Sequence, residues 1–118
     1  MRTKDELGRL GEDLAADYLA HAGLTILARN WRCRAGEIDI VARDGSTLVV
    51  CEVKARSGTG FGTPAEAVTR RKIRRLRELA LRWLEEQEIY VPQIRFDVIS
   101  IVRPPTGRPV LEHLRGVE

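Results

Sequence analysis

The chain has 118 residues, with 20 Lys and Arg against 17 Asp and Glu, for a net charge of +3; this length suits one domain, residues 1–118, around a single core. No apolar run approaches membrane-spanning length and the opening Met1-Arg2-Thr3-Lys4-Asp5-Glu6 is polar, so no membrane partner is expected and the protein should stay in the cytoplasm. Cys33, Cys51, His21 and His113 make no metal-ligand spacing, which argues against zinc and leaves neither residue type a functional role.

In chain order, Thr3-x-x-Glu6 is a capping box opening a helix. Leu7, Leu10, Leu14, Tyr18 and Leu19 form its apolar side, and Gly23 ends it. Glu12 falls on the side facing away from Leu7, Leu10 and Leu14. Leu24 to Trp31 reads as a first strand and Arg32 to Ala35 as a basic turn.

Two apolar strands follow, Gly36-Glu37-Ile38-Asp39-Ile40-Val41 and Val49-Val50-Cys51-Glu52-Val53-Lys54. Asp44-Gly45 is a two-residue hairpin signal between them. If it forms the turn, Arg43 pairs with Ser46, Asp39 lies opposite Val50, and Glu37 lies opposite Glu52. Asp39, Glu52 and Lys54 then project from one sheet face, with Asp39 diagonal to Glu52. A one-residue slip would break that cluster. Charged side chains rarely enter apolar strands unless paired or holding a metal. Two close carboxylates both stay ionised only with a cation between them; Lys54 supplies part of that charge and a divalent metal would supply more. Cys51, inside the apolar run, is expected to be a small buried hydrophobe.

Ala55 to Gly62 is a glycine-rich loop. Thr63-Pro64-Ala65-Glu66 then supplies N-cap, N1 proline and N3 glutamate for a second helix, with Glu66 as capping partner of Thr63. Its apolar stripe is Val68, Ile73, Leu76, Ala80, Trp83 and Leu84. Arg70-Arg71-Lys72-Ile73-Arg74-Arg75-Leu76-Arg77 is the densest basic run of the chain. Acids enter only at Glu78 and from Glu85, and a one-signed stripe suits contacts to a phosphate backbone. Pro92 precedes a fourth strand, Arg95 to Ile101. Val110 to Leu114 reads as a short edge strand after the turn Pro104-Pro105-Thr106-Gly107. The order α-β-β-β-α-β-β implies an α/β fold, a mixed sheet flanked by helices.

An ordered set of motifs runs from about Gly8 to Trp83: Gly11-Glu12, Gly36-Glu37-Ile38-Asp39, Glu52-Val53-Lys54 and Pro64-Ala65-Glu66-Ala67-Val68. This set resembles the PD-(D/E)XK nuclease superfamily, which includes restriction endonucleases and archaeal Holliday junction resolvases. It is more closely similar to the YraN-type family of small bacterial proteins, which is grouped with those nucleases. One departure is Ile38, where the superfamily often has proline before the motif aspartate; the position varies widely there. The resemblance implies a restriction endonuclease-like core and a metal-dependent endonuclease acting on nucleic acid, DNA first and branched repair or recombination intermediates among its forms. It implies Asp39, Glu52 and Lys54 as catalytic residues. Magnesium or manganese would be held by Asp39, Glu52 and the Val53 main-chain carbonyl, with Glu12 joining from the first helix. Lys54 would orient or deprotonate water. Arg56, Arg70, Arg71, Lys72, Arg74 and Arg75 are candidates for nucleic-acid contacts, and Glu37 and Glu66 for auxiliary positions. The related resolvases dimerise, which extends to this chain the expectation of a homodimer. The competing readings are a catalytically silent nucleic-acid-binding module with a nuclease fold, and a structural partner in a larger DNA-processing complex.

Overall fold

The structure, a computed structural model, describes residues 4–58 and 68–117. Helix α1 (Lys4–His21) leads into β1 (Thr25–Cys33), β2 (Gly36–Asp44) and β3 (Thr47–Ser57); α2 (Arg70–Gln87) follows, then β4 (Gln93–Arg103) and β5 (Val110–Leu114). The strands form one sheet in the order β1-β2-β3-β4-β5. Neighbours are antiparallel except β3 and β4, which run parallel from Thr47↔Gln93 to Ser57↔Arg103. Parallel neighbours need a crossover, and α2 lies within it. The mixed sheet with a helix on each face fits the restriction endonuclease-like core that the sequence implied. No helix among the described residues is long and apolar enough to cross a membrane.

Each face has its own apolar core. On one, Ala15, Ala16 and Leu19 of α1 pack on Ile40, Ala42, Val49, Cys51, Ile99 and Ile101. On the other, Ile73, Leu76, Leu79, Ala80, Trp83 and Leu84 of α2 pack on Ile38, Val41, Leu48, Val50 and Phe96. Cys51 is the buried hydrophobe expected, and burial pushes its thiol far above the ordinary range. The α2 stripe matches the periodicity with Leu79 added. Val68 precedes the helix, half-buried against the same core.

Three expectations need correction. The buried side of α1 is Gly11, Ala15, Ala16 and Leu19, with Leu7, Leu10, Leu14 and Tyr18 only partly covered. Small residues let the helix come closest to the sheet, so it seats on them rather than on its leucines. A Cβ at Gly11 would stand 2.7 Å from Ala55 Cβ. The consequence is that Glu12 turns towards the sheet instead of away from it.

The hairpin register is shifted. Asp44 pairs with Thr47 and Val41 with Val50, so Gly45-Ser46 is the loop rather than Asp44-Gly45. Gly45 takes φ +62, and a two-residue hairpin loop readily accepts glycine at its first position. Asp44 stays in the strand and receives Arg95 Nη1 at 3.2 Å. The shift moves each partner by two residues, so the paired side chains keep their faces. Asp39, one residue beyond the last pair, comes level with Glu52 instead of Val50.

Helix α2 opens later than the sequence suggested. Thr69 is extended (φ −115, ψ 160) and its Oγ1 accepts the Lys72 N–H at 3.1 Å, making it the N-cap. The proposed cap Thr63-Pro64-Ala65-Glu66, Glu66 included, lies outside the described residues. The first turn of α2 carries no acid, so Arg70, Arg71 and Lys72 oppose the helix dipole.

One polar cluster was not foreseen. Asp97, inward-facing on β4, is 0% exposed. Arg95 donates to it twice, Nε to Oδ1 at 2.9 Å and Nη2 to Oδ2 at 3.0 Å. The Gly116 N–H donates to Oδ1 at 3.0 Å, and His113 Nε2 lies 2.7 Å from Oδ2. Tyr18 Oη is 3.0 Å from the other ring nitrogen of His113. The cluster joins α1, the end of β2, β4 and β5 around one carboxylate. Burial pushes the Asp97 carboxyl up, yet the bonds from Arg95, Gly116 and His113 outweigh it and hold the group below the usual range. His113, expected to have no role, is thus a buried structural ligand of Asp97.

Two predictions follow from these contacts. Gly11→Ala should destabilise by about 1–3 kcal/mol through overpacking, despite alanine's better helix propensity. Gly8→Ala on the same helix meets nothing within 4 Å and should stabilise by about 0.5–1 kcal/mol. Opposite shifts in melting temperature check the pair. Asp97→Asn should cost about 3–5 kcal/mol by breaking a buried ion pair. Because the folded carboxyl titrates below its ordinary value of 3.8, that contribution is full above pH 3.8 and fades only as pH falls through the lower folded value. Urea melts of both proteins across acid pH would show the gap narrowing only there.

Candidate active site

The β2–β3 pairing runs from the turn to Ile40↔Cys51 and stops. The next residue along β2 is Asp39. Instead of a backbone partner, its Oδ2 accepts the Val53 N–H at 2.8 Å. The pleat reverses at this point, since Ile38 and Val41, three apart, both enter the α2-side core while Ile40 enters the other. The β1–β2 register runs on past it, from Arg29↔Ile40 to Trp31↔Ile38, but Asn30 between these pairs takes φ 52. Left-handed backbone is sparsely populated except by glycine and asparagine. The strands therefore part around Asp39, and its carboxylate sits in the opening.

Both helices reach this opening. From α1, Glu12 lies near Asp39, hydrogen-bonded by the Asn30 side chain, while its Oε1 is buried with no hydrogen-bond partner. From β3, Glu52 is turned to the α2 face, its side chain 15% exposed. Lys72 Nζ of α2 is 2.7 Å from Glu52 Oε1; Oε2 is buried without a hydrogen-bond partner. Lys54 follows on the same face and touches Lys72.

The electrostatics reflect how crowded the opening is. Burial, then the charge of Glu52, push the Asp39 carboxyl up, against the Val53 hydrogen bond. Burial and the charge of Asp39 do the same to Glu12. Burial and contact with Lys72 pull the Lys54 amine down. Burial also works against the Lys72 ammonium, but Glu52 and Lys54 outweigh it and raise its value. Lys72 is thus the better stabilised of the two ammonium groups, because it stands beside Glu52 at 2.7 Å.

The other sequence candidates are placed differently. Glu37 is exposed and paired with Arg32 at 3.0 Å, outside the opening, although its charge reaches Asp39. Arg75 Nη2 donates to the Ala35 carbonyl at 2.8 Å, tying α2 to the β1–β2 turn. Arg71, Arg74, Arg75 and Glu78 line a shallow depression of about 510 Å³ beside Ala35. Arg70 and Arg56 are exposed, Arg70 at the start of α2 and Arg56 near the end of β3. Lys72, foreseen only as a phosphate contact, is part of the acidic site. Asn30 was missed. The sequence signal that could have found it is an asparagine inside a strand, a residue type depleted there.

The donor set suits a hard divalent cation, which takes carboxylate and carbonyl oxygens and keeps several waters. Two buried carboxylate oxygens without hydrogen-bond partners, one on Glu12 and one on Glu52, are the feature that fits. Among the described residues, however, no three acidic, histidine or cysteine side chains already converge as a ready-made cage. The ammonium of Lys72 stands on one of the oxygens such an ion would use.

A sequence profile of the uncharacterised protein family UPF0102 matches residues 11–101. A UPF0102 protein of Frankia alni is 58% identical over 116 residues, covering 98% of this chain and 97% of its own length. One from Nocardia farcinica is 57% identical over 114 residues, 97% and 90% of the two chains. One from Beutenbergia cavernae is 52% identical over 117 residues, 99% of each.

A carboxyl whose folded pKa is raised above its unfolded value costs stability at neutral pH. That cost vanishes as pH falls below the unfolded value, which is 3.8 for Asp39. Asp39→Asn keeps an oxygen for the Val53 N–H and removes the charge. It should raise stability at pH 7 by about 1 kcal/mol, roughly 4 °C in melting temperature. The gain should disappear in melts below pH 3.8.

Proposed function

The chain belongs to the UPF0102 family, and we propose that it is a metal-dependent endonuclease, hydrolysing phosphodiester bonds in nucleic acid and placed in the PD-(D/E)XK superfamily. The observation that carries this reading is the opening at Asp39. Glu12 from α1 and Glu52 from β3 each lie near Asp39, two lysines stand beside Glu52, and two buried carboxylate oxygens are left without hydrogen-bond partners. A sheet that only needed to be stable would fill that position with an apolar pair.

In this reading Asp39, Glu52 and the Val53 main-chain carbonyl hold magnesium or manganese, with Glu12 adjoining. The ion, when bound, supplies charge stabilisation at the phosphate and acidifies a coordinated water. Lys54, a partly desolvated amine whose basicity burial and Lys72 lower, orients the attacking water or takes its proton. Asn30 and the Val53 N–H keep Glu12 and Asp39 in place. The basic first half of α2 receives the flanking phosphates: Arg70, Arg71 and Arg74 face solvent there, and no acid offsets them in the first turn. DNA is the substrate taken first, with branched forms suited to a two-fold dimer.

A specific observation favours a second reading. Glu52 is already neutralised by Lys72, as would suit a nucleic-acid-binding module that keeps the fold and does not cut. One experiment separates the two. Labelled linear, nicked and four-way-junction DNA and single-stranded RNA are incubated with the protein in magnesium or manganese. Cleavage is expected, removed by chelator and lowered at least about 10³-fold in Asp39→Asn, Glu52→Gln and Lys54→Ala, with binding in gel shifts retained. Binding without cleavage by the unaltered protein would establish the silent module instead.

A further inference from the structure

Glu52 is held by a cation that the chain itself supplies, and we propose that this ion pair is a gate. Lys72 is a resident counter-ion that an incoming divalent cation displaces from Glu52, and the released ammonium then meets the phosphate of the nucleic acid. The inference rests on the nuclease reading for the metal and the phosphate, and adds how the site passes from closed to loaded.

The placement of Lys72 is what demands an explanation. It lies in a run of arginines whose side chains stay outside, while its own reaches inward to 2.7 Å from Glu52 Oε1 and is 31% exposed. An ion pair this sheltered keeps Glu52 from being a buried lone charge. It also blocks the site, because one oxygen cannot serve an ammonium at hydrogen-bond distance and a cation at coordination distance together. The other Glu52 oxygen and Glu12 Oε1 remain unpartnered, ready for an additional cation.

Like-charge repulsion gives the direction of the exchange. Glu52 and Asp39 act on Lys72, and Glu52 on Lys54. A dication seated on Glu52 repels the ammonium at hydrogen-bond distance from the same carboxylate. Outward movement of that ammonium relieves the repulsion, and Lys72 is the one that can go. It sits in the first turn of α2 on a four-carbon stem, whereas Lys54 is fixed within a strand paired on Ser100. Moving outward takes Lys72 towards Arg71 and Arg74, where a phosphate would already be held. A single residue then reports both events: metal arrival releases it and substrate captures it.

Manganese binding followed by calorimetry, together with amine labelling read by mass spectrometry, tests the gate without any cleavage assay. Lys72→Met keeps the stem and removes the charge. It should bind Mn2+ about five- to tenfold tighter than the unaltered protein, and Glu52→Gln should bind it more weakly than either. In the unaltered protein, Mn2+ should raise labelling of Lys72 severalfold and leave Lys4 unchanged. The labelling arm stands even if Lys72→Met folds poorly. Metal binding with no change in Lys72 labelling, or with Lys72→Met binding no tighter, overturns the gate and leaves the nuclease reading intact. If no protein binds Mn2+ at all, both fall together.

Discussion

The bond between Asp39 and the Val53 N–H is the constraint from which the rest of the site follows. In an uninterrupted ladder that N–H would have a backbone carbonyl as partner, and Asp39 would be one more side chain on a sheet face. Here the side chain replaces the backbone acceptor. The strands part, and a gap opens between the two apolar cores. Through it, groups from α1 and α2, which an intact sheet would keep on opposite sides, act on the same carboxylate. An unpaired buried N–H is costly, so the substitution of side chain for backbone is what allows a break in the middle of a sheet.

The surrounding structure bears the cost of that break. Asn30 adopts a left-handed conformation where its strand passes the gap. Gly11 gives up a side chain so that α1 can lie against Ala55 and bring Glu12 close. Asp39 and Glu12 both sit where burial disfavours their charged forms. Two strands over, the carboxylate of Asp97 receives Arg95, Gly116 and His113 and is held in its charged form. One buried acid is satisfied and structural, while the others are strained and exposed to chemistry. The contrast between them separates scaffold from site more clearly than burial alone.

Much of this was legible in the sequence. The element order, both motif strands, the edge strand Val110–Leu114 and the α2 stripe are period-2 and period-3.6 patterns, and these survive folding because they are local. The shared face of Glu52 and Lys54 was readable for the same reason. What was not legible depends on distances between elements. The register differed by two because glycine, not aspartate, took the strained loop position. The seating of α1 on Gly11, Ala15 and Ala16 reversed the side on which Glu12 was expected, since helix-to-sheet distance is set by the smallest residues. Asp97 gave no signal, because an aspartate becomes a structural hub only once Arg95, His113 and Gly116 arrive around it. The Lys72–Glu52 pair joins residues that only the crossover brings together.

The parallel pairing of β3 with β4 has a consequence for the making of the protein. Glu12, Asp39, Glu52, Lys54 and Lys72 all precede β4, as does the antiparallel meander β1-β2-β3 that can pair as it is synthesised. Until β4 has left the ribosome, β3 has one edge open: apolar Leu48, Val49, Val50 and Cys51 along a row of unpaired N–H and C=O groups. Such an edge is a template for wrong partners, and translation at about 5–20 residues per second leaves it uncovered for seconds. Arg56 and Ser57 at one end of that strand, and Asp44 closing β2 at the other, flank the apolar run with the polar residues that oppose such pairing.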